Sequence, residues 1–435
     1  MKNSFKYLSI ALIAFFGIQM QAQENSLWNR DFPNFRNPDQ NGINDFEPNK
    51  DTITDFNGIN VRVGGAFALQ FQAIDHENSG NTATPVLQEI GDNFNLATAN
   101  LDFDVMLYDG VRLHLRTYLS SQHHNETYVK GGYLQIDKLD FIRENFLSDV
   151  MDKVRIKIGH MENNYGDTHF RRTDNAMALY NPFVGNYLLD AFTTEVGVEV
   201  YYFNNGWLGM LGATNGKLNQ AVTGPGTTSP SLLAKVGYDN YVTQDLRFRL
   251  TGSVYHTNQT GSAYLYTGDR AGSRYYNLFQ GSYINNLGEV VAVGDGFRAG
   301  RVNPGIRNEM TSIMINPFIK YGGLEFFGVF ETISGKNANE TDERNWNQYA
   351  GELIYRFGNN ENLYVAGRYN YVDGELAGDQ EVNVRRYNLG AGWFMTQNIL
   401  AKLEYVNQEY NDYPVSDIHN EGKFNGVVFE AVISF

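Results

Sequence analysis

Cysteine is absent from all 435 residues, which excludes disulfide staples and a lipidated amino-terminal anchor. Proline is scarce, with 10 residues against 44 glycines. Beyond the first 23 residues no run of 18 apolar side chains occurs, so no membrane-spanning helix can be drawn from this sequence. Positive charge is also short: 34 Lys and Arg face 49 Asp and Glu, a formal net charge of −15, which argues against nucleic acid as a partner. If such a chain enters a membrane, it does so as a closed barrel of strands.

What is abundant is aromatic: 28 Tyr and 29 Phe are spread along the chain with no compositional break that would mark a domain boundary. Lys2 and Lys6 precede an apolar run from Tyr7 to Ile18 and small or polar residues near Ala22, the pattern of a cleaved secretory leader over residues 1–23. Residues 24–57 are rich in Asn, Asp and Pro and follow neither a helical nor a strand period, so an irregular arm is expected. Within it Asp39, Asn41, Gly42, Asn44, Asp45 and Glu47 loosely resemble a calcium loop. Their spacing completes no motif, and such clusters generally make turns; no metal or cofactor is expected.

From Asn60 the hydrophobic period becomes two. Val61, Val63, Phe67, Leu69 and Phe71 alternate with Arg62, Gln70 and Gln72, and Leu101, Phe103 and Val105 with Asn100, Asp102 and Asp104. Val111, Leu113 and Leu115 oppose Arg112, His114 and Arg116, while Val154, Ile156 and Ile158 oppose Lys153, Arg155 and Lys157. Val196, Val198 and Val200 oppose Glu195, Glu199 and Tyr201, and Phe248 and Leu250 oppose Arg247 and Arg249. One row suits hydrocarbon and the other water. Counting such segments to the end predicts an all-β fold over residues 58–435: an antiparallel transmembrane barrel of about 16 strands, between about 14 and 18.

The connections agree, since short links such as Tyr108-Asp109-Gly110 and Asn204-Asn205-Gly206 alternate with long ones, the longest running from Thr257 to Glu309. In residues 137–152, Leu139, Ile142, Phe146 and Val150 have helical spacing, so a short amphipathic helix under the barrel rim is expected. Val427, Phe429, Ala431, Ile433 and Phe435 form an apolar row ending on an aromatic residue, which looks like the signal read by the barrel-assembly machinery of the Gram-negative outer membrane.

Residues 162–192 interrupt this pattern between two alternating segments. The stretch mixes Arg171, Arg172, His169, Asp167 and Asp174 with Tyr165, Tyr180, Phe183 and Tyr187, and is read as a loop folded into the lumen to form the pore constriction. The lumen wall around it is expected to carry Arg62, Arg112, Arg116, Arg155, Lys157, Arg247 and Arg249 on basic strands. Glu195 and Glu199, with Glu325, Glu331, Glu352, Glu404 and Glu430, form acidic ones. Opposed walls would set a transverse field favouring polar solutes. Arginine pairs also bind phosphate or carboxylate through bidentate hydrogen bonds, although Asp167 and Asp174 stand close enough to pair with them instead.

The basic strand, its Ile-Gly ending and the long loop opened by VRIKIGHMENNYGD, Val154 to Gly166, are similar to the phosphate-selective porin family. That resemblance implies an outer-membrane channel in which Arg171 and Arg172, with Lys153, Arg155 and Lys157, conduct anions, with outer-membrane lipid as surround and a homotrimer as assembly. The acidic residues of the loop and the negative chain depart from that pattern. The expected function is passive diffusion of small polar solutes or anions through a loop-constricted pore in the bacterial outer membrane. The alternatives are a barrel plugged by the amino-terminal arm or by residues 257–309, serving secretion or surface assembly, and an outer-membrane hydrolase, for which no Ser/His motif is recognisable.

Overall fold

The computed structural model describes residues 32–50, 56–122, 125–216, 229–261, 263–267 and 274–435; the expected leader and the first part of the arm lie outside them. Residues from Pro33 onward form one compact unit. The alternating segments become sixteen antiparallel strands. The first eight are β1 (Asn60–Glu77), β2 (Thr98–Tyr108), β3 (Val111–Leu119), β4 (Tyr128–Ile136), β5 (Val154–Glu162), β6 (Thr194–Asn204), β7 (Trp207–Thr214) and β8 (Ser231–Tyr241). There follow β9 (Leu246–Thr257), β10 (Glu309–Tyr321), β11 (Leu324–Lys336), β12 (Arg344–Phe357), β13 (Leu363–Leu376), β14 (Gln380–Thr396), β15 (Ile399–Asn411) and β16 (Lys423–Ser434).

Every strand pairs with its sequence neighbour, and β16 returns to β1 with Ala66 opposite Ser434 and Glu77 opposite Lys423. Closure removes the free sheet edges, whose unpaired N–H and C=O groups hydrocarbon could not satisfy. Phe435 completes the seam by exchanging main-chain hydrogen bonds with Gly65. Short turns follow from local chemistry: between β6 and β7, Asn205 and Gly206 both take positive φ, 49° and 82°, the two-residue hairpin geometry these residue types favour.

Phe67, Leu101, Ile158, Val196 and Leu211 stand exposed on the outside of the wall, as a hydrocarbon-facing row requires. The inward row departs from simple wetness. On β10 to β16 it includes fully buried Phe318, Phe327, Ile333, Val384, Val428 and Val432. The first five meet Tyr165, Val184, Leu188 and Leu189 from the inward loop, Phe46 from the arm, and Tyr266, Leu278 and Phe279 from the segment before β10, while Val432 clusters with Ala178 and Leu179 of the loop. Apolar burial, at roughly 25 cal/mol per Å², thus fastens chain segments within the wall.

One expectation about connections is revised. Residues 137–152 form turns with a single helical turn, Ser148–Met151, because Asn145 and Leu147 take positive φ, 57° and 56°, and break the helical run. The long link before β10 holds an added hairpin, Gln280–Ile284 with Val290–Gly294, extended by Val86–Leu87, while its flanks descend into the interior.

Candidate functional site

The inward loop runs from the end of β5 to the start of β6, and nearly all of its side chains are buried. It turns at Gly166, φ +67°, where a Cβ would lie 2.2 Å from Met314 Sδ on β10, so glycine permits both the backbone and the close approach. Beyond the turn, anchors fall on every side. Asp167 accepts from Arg249 Nε and Nη2, both at 2.8 Å, and from Thr251 Oγ1 at 2.9 Å, with Lys235 Nζ at 2.7 Å. Arg171 reaches Glu352 at 3.2 Å and Glu325 at 3.8 Å, and donates to Asn44 of the arm. Arg172 holds Asp190 within the loop through two 2.7 Å hydrogen bonds. Asp174 pairs with Arg116 at 3.0 Å and with Lys130. His169 bridges Glu162, 2.6 Å, and Asn164, 3.0 Å.

The acidic wall faces these inserted segments. Glu352 accepts also from Tyr187 Oη, 2.6 Å, and Arg368 Nε, 2.7 Å; Glu404 accepts from Val184 N, 2.8 Å, and Tyr275 Oη, 2.6 Å. Glu331 takes hydrogen bonds from Tyr165 of the loop and Tyr266 of the outer segment, and Glu430 pairs with Lys402 at 2.6 Å and with Arg274. Glu195 and Glu199 are likewise occupied, by Thr214 and Tyr255 and by Asn164 N and Tyr201. Carboxylates so enclosed hold chain in place and offer little to a passing solute.

The arm enters the barrel from the short-turn end. Phe35 sits against the guanidinium groups of Arg62 and Arg112, 4.9 and 5.0 Å from its ring centre, and Phe46 lies 4.2 Å from that of Arg249. Glu47 bonds Arg249 at 2.6 Å and Lys235 at 2.7 Å, whereas Asn44 donates to Glu325 and the Asp39 side chain accepts from Asn41 N. The oxygen donors of the expected calcium-like stretch therefore diverge. Among the described residues no group of three His, Asp or Glu could hold a metal ion.

What these segments leave open is a cavity of about 220 Å³ between the loop, the arm and the inner face of β1 to β6. Its walls carry eight Lys or Arg side chains against four carboxylates. Arg62, Arg112, Arg116, Arg155 and Lys157 come from the strands expected to be basic, joined by Lys130 on β4, Arg36 of the arm and Arg172 of the loop. The acids are Glu47, Asp102, Glu162 and Asp174. Most of the cations are paired: Asp104 receives Arg62 at 3.0 Å, Arg112 at 2.8 Å and His114 at 2.9 Å, and Asp137 receives Arg155 at 2.8 Å. Lys157 has no carboxylate within ion-pair distance among the described residues and lies 5.5 and 5.1 Å from the ring centres of Tyr133 and Tyr201. Arg36 stacks 3.6 Å over Tyr180 and, among the described residues, donates to the carbonyls of Gly42 and Phe170.

Of the residues read as constriction, Arg172, Asp174 and His169 border this cavity, while Arg171 and Asp167 lie behind it as anchors. Arg247, Arg249, Glu195 and Glu199 do not line it; Arg247 chelates Asp239 at 2.7 and 2.6 Å. The opposed acidic wall thus faces protein instead of the opening. Lys130, Lys235 and Arg368 complete the network. Lys235 and Arg368 occupy inward positions of alternating strands and were legible there; Arg36 sits in a stretch without periodicity, and only packing reveals it.

No protein-family model matches the sequence, and no curated protein does. Solved structures match in fold. An anion-selective porin from Comamonas acidovorans superimposes with TM-score 0.52 at 11% identity, over 87% of this chain and 100% of that one. The trimer form of OmpT, an outer membrane protein of Vibrio cholerae, gives 0.51 at 12% identity over 87% and 100%. The outer membrane channel DcaP of Acinetobacter baumannii gives 0.50 at 12% identity over 88% and 99%. At this identity the likeness is one of architecture: the chain is a closed, 16-stranded antiparallel barrel of the kind outer-membrane porins use.

Proposed function

We propose that this protein is an outer-membrane porin whose passage runs along the inner face of β1 to β6, and that it admits small polar solutes with anions ahead of cations. The observation that carries this reading is the composition of this opening: eight cations against four carboxylates, with Lys157 and Arg36 outside ion-pair distance of any carboxylate among the described residues. A narrow, low-dielectric bore magnifies such an imbalance, because the few charges that border it are weakly screened. The named neighbours include an anion-selective porin and a channel, which agrees with this direction. Nothing in the reading requires a nucleophile or a general base.

The test is the reversal potential of single channels in a planar bilayer under a salt gradient. The native protein should give the sign of an anion-preferring pore, and Lys157→Glu should lower the anion-to-cation permeability ratio several-fold. A cation-preferring native pore, or a ratio unmoved by Lys157→Glu, overturns the proposal.

A second reading, a barrel closed by its own segments, is favoured by the depth at which Phe35 and Glu47 of the arm are seated. It predicts a silent native protein that conducts once residues 33–50 are removed.

A further inference from the structure

Residues 137–153, between β4 and β5, hold four large apolar side chains outward on a fixed backbone. Ile142 N donates to Leu139 O, Phe146 N to Arg143 O and Met151 N to Leu147 O, and Met151 is buried beneath. Yet Phe141, Ile142, Leu147 and Val150 are 49%, 59%, 51% and 51% exposed. Apolar groups clustered this way mark a surface that meets something other than water.

The level of this segment is set by its ends. Asp137 N donates to Gly110 O, Lys138 reaches Asp109 at 2.7 Å, and Phe203 N donates to Lys153 O. These contacts place it beside the β2–β3 turn and the end of β6. At that same end Tyr108, Tyr202 and Trp207 are exposed on β2, β6 and β7, the position of an interfacial aromatic girdle on a membrane barrel.

We infer that residues 139–150 are a membrane foot, which continues this girdle sideways and lies in the boundary between headgroups and hydrocarbon of the leaflet at the short-turn end. The inference rests on the membrane placement proposed above. Lys138, Arg143 and Lys153 are offset by Asp140, Glu144, Asp149 and Asp152, so the foot has no net attraction for anionic headgroups. Its occupant is the apolar boundary itself, and insertion is independent of headgroup charge.

The absence of cysteine makes the test direct. Ile142→Cys and Leu147→Cys, each carrying a nitrobenzoxadiazole probe, are placed in phosphatidylcholine vesicles containing lipids spin-labelled at a shallow acyl position. Leu211→Cys on the outward face of β7 and Glu381→Cys at the long-loop end are the controls, and heat-modifiable migration confirms each barrel. Expected are blue-shifted emission at 142 and 147 and quenching within about twofold of that at 211, unchanged by added phosphatidylglycerol, with position 381 unquenched. Water-like, unquenched probes at 142 and 147 beside a quenched 211 overturn the foot and leave the barrel's placement standing. Disulfide-linked dimers of unlabelled Ile142→Cys, together with an unquenched probe on the labelled protein, overturn it in favour of a second copy. An unquenched 211 removes the membrane placement itself.

Discussion

Replacing Glu352 by Gln tests whether the acidic wall holds the loop. Its carboxylate accepts from Arg171, Arg368 and Tyr187, two of these donors lying on the inward loop, and all are buried. An amide removes the negative charge but leaves both guanidinium groups inside, with Arg171 keeping Glu325 at 3.8 Å and Asn44. Breaking a buried ion pair from one side costs about 3–5 kcal/mol. The wall is held mainly by its main-chain pairing and loses here one cross-strand pair, Glu352 with Arg368, so most of the cost falls on the docked state of the loop. At 1.4 kcal/mol per decade, the undocked population rises roughly 10²- to 4 × 10³-fold. The assay is single-channel recording with parallel heat-modifiable electrophoresis. Glu352→Gln should migrate as a folded barrel and show larger, noisier conductance with transitions between levels. A variant with native conductance and noise would refute the view that the acidic wall fixes the bore; an unfolded one would show the loop to be part of the barrel's own stability.

Three further outcomes are expected. At the long-loop end burial acts to lower the pKa of His419, but Asp295 and Asp417, each at 2.8 Å, raise it to about 10. Because the folded value lies above the ordinary one of about 6.5, this stabilisation is complete below about pH 6.5 and fades as pH approaches 10; the exchange protection of residues 412–422, taken relative to the intrinsic base-catalysed rate, should fall across that window, and His419→Gln should abolish that fall. Gly166→Ala places a methyl against Met314 at φ +67° and costs about 1–2 kcal/mol in loop docking, read as raised channel noise with unchanged barrel migration. Phe46→Ala removes a ring that is 2% exposed and packed against Phe170 and Phe318; a loss of about 3–5 kcal/mol should release the arm to proteolysis near residues 40–50 while the barrel stays resistant.

The wall is legible in side-chain periodicity alone. Strict alternation from Asn60, the absence of any long apolar run and the regular short and long links leave a closed antiparallel barrel as the arrangement that satisfies the backbone in lipid, and side-chain parity places Arg62, Arg112, Arg155 and Lys157 on its inner face. The sequence also marked residues 162–192 as an insertion, since charge and aromaticity there follow no period. What each charge does depends on how the chain packs in three dimensions. Arg171 and Arg172 stand side by side in sequence, yet one reaches across the lumen to Glu352 while the other folds back on Asp190 and borders the opening. Parity fixes which face a side chain takes, but pairing depends on where a loop, an arm and an outer segment come to rest inside the same space. Those positions follow from long-range packing between residues as far apart as Asn44 and Glu325, Tyr165 and Glu331, or Tyr275 and Glu404, and no local pattern encodes them.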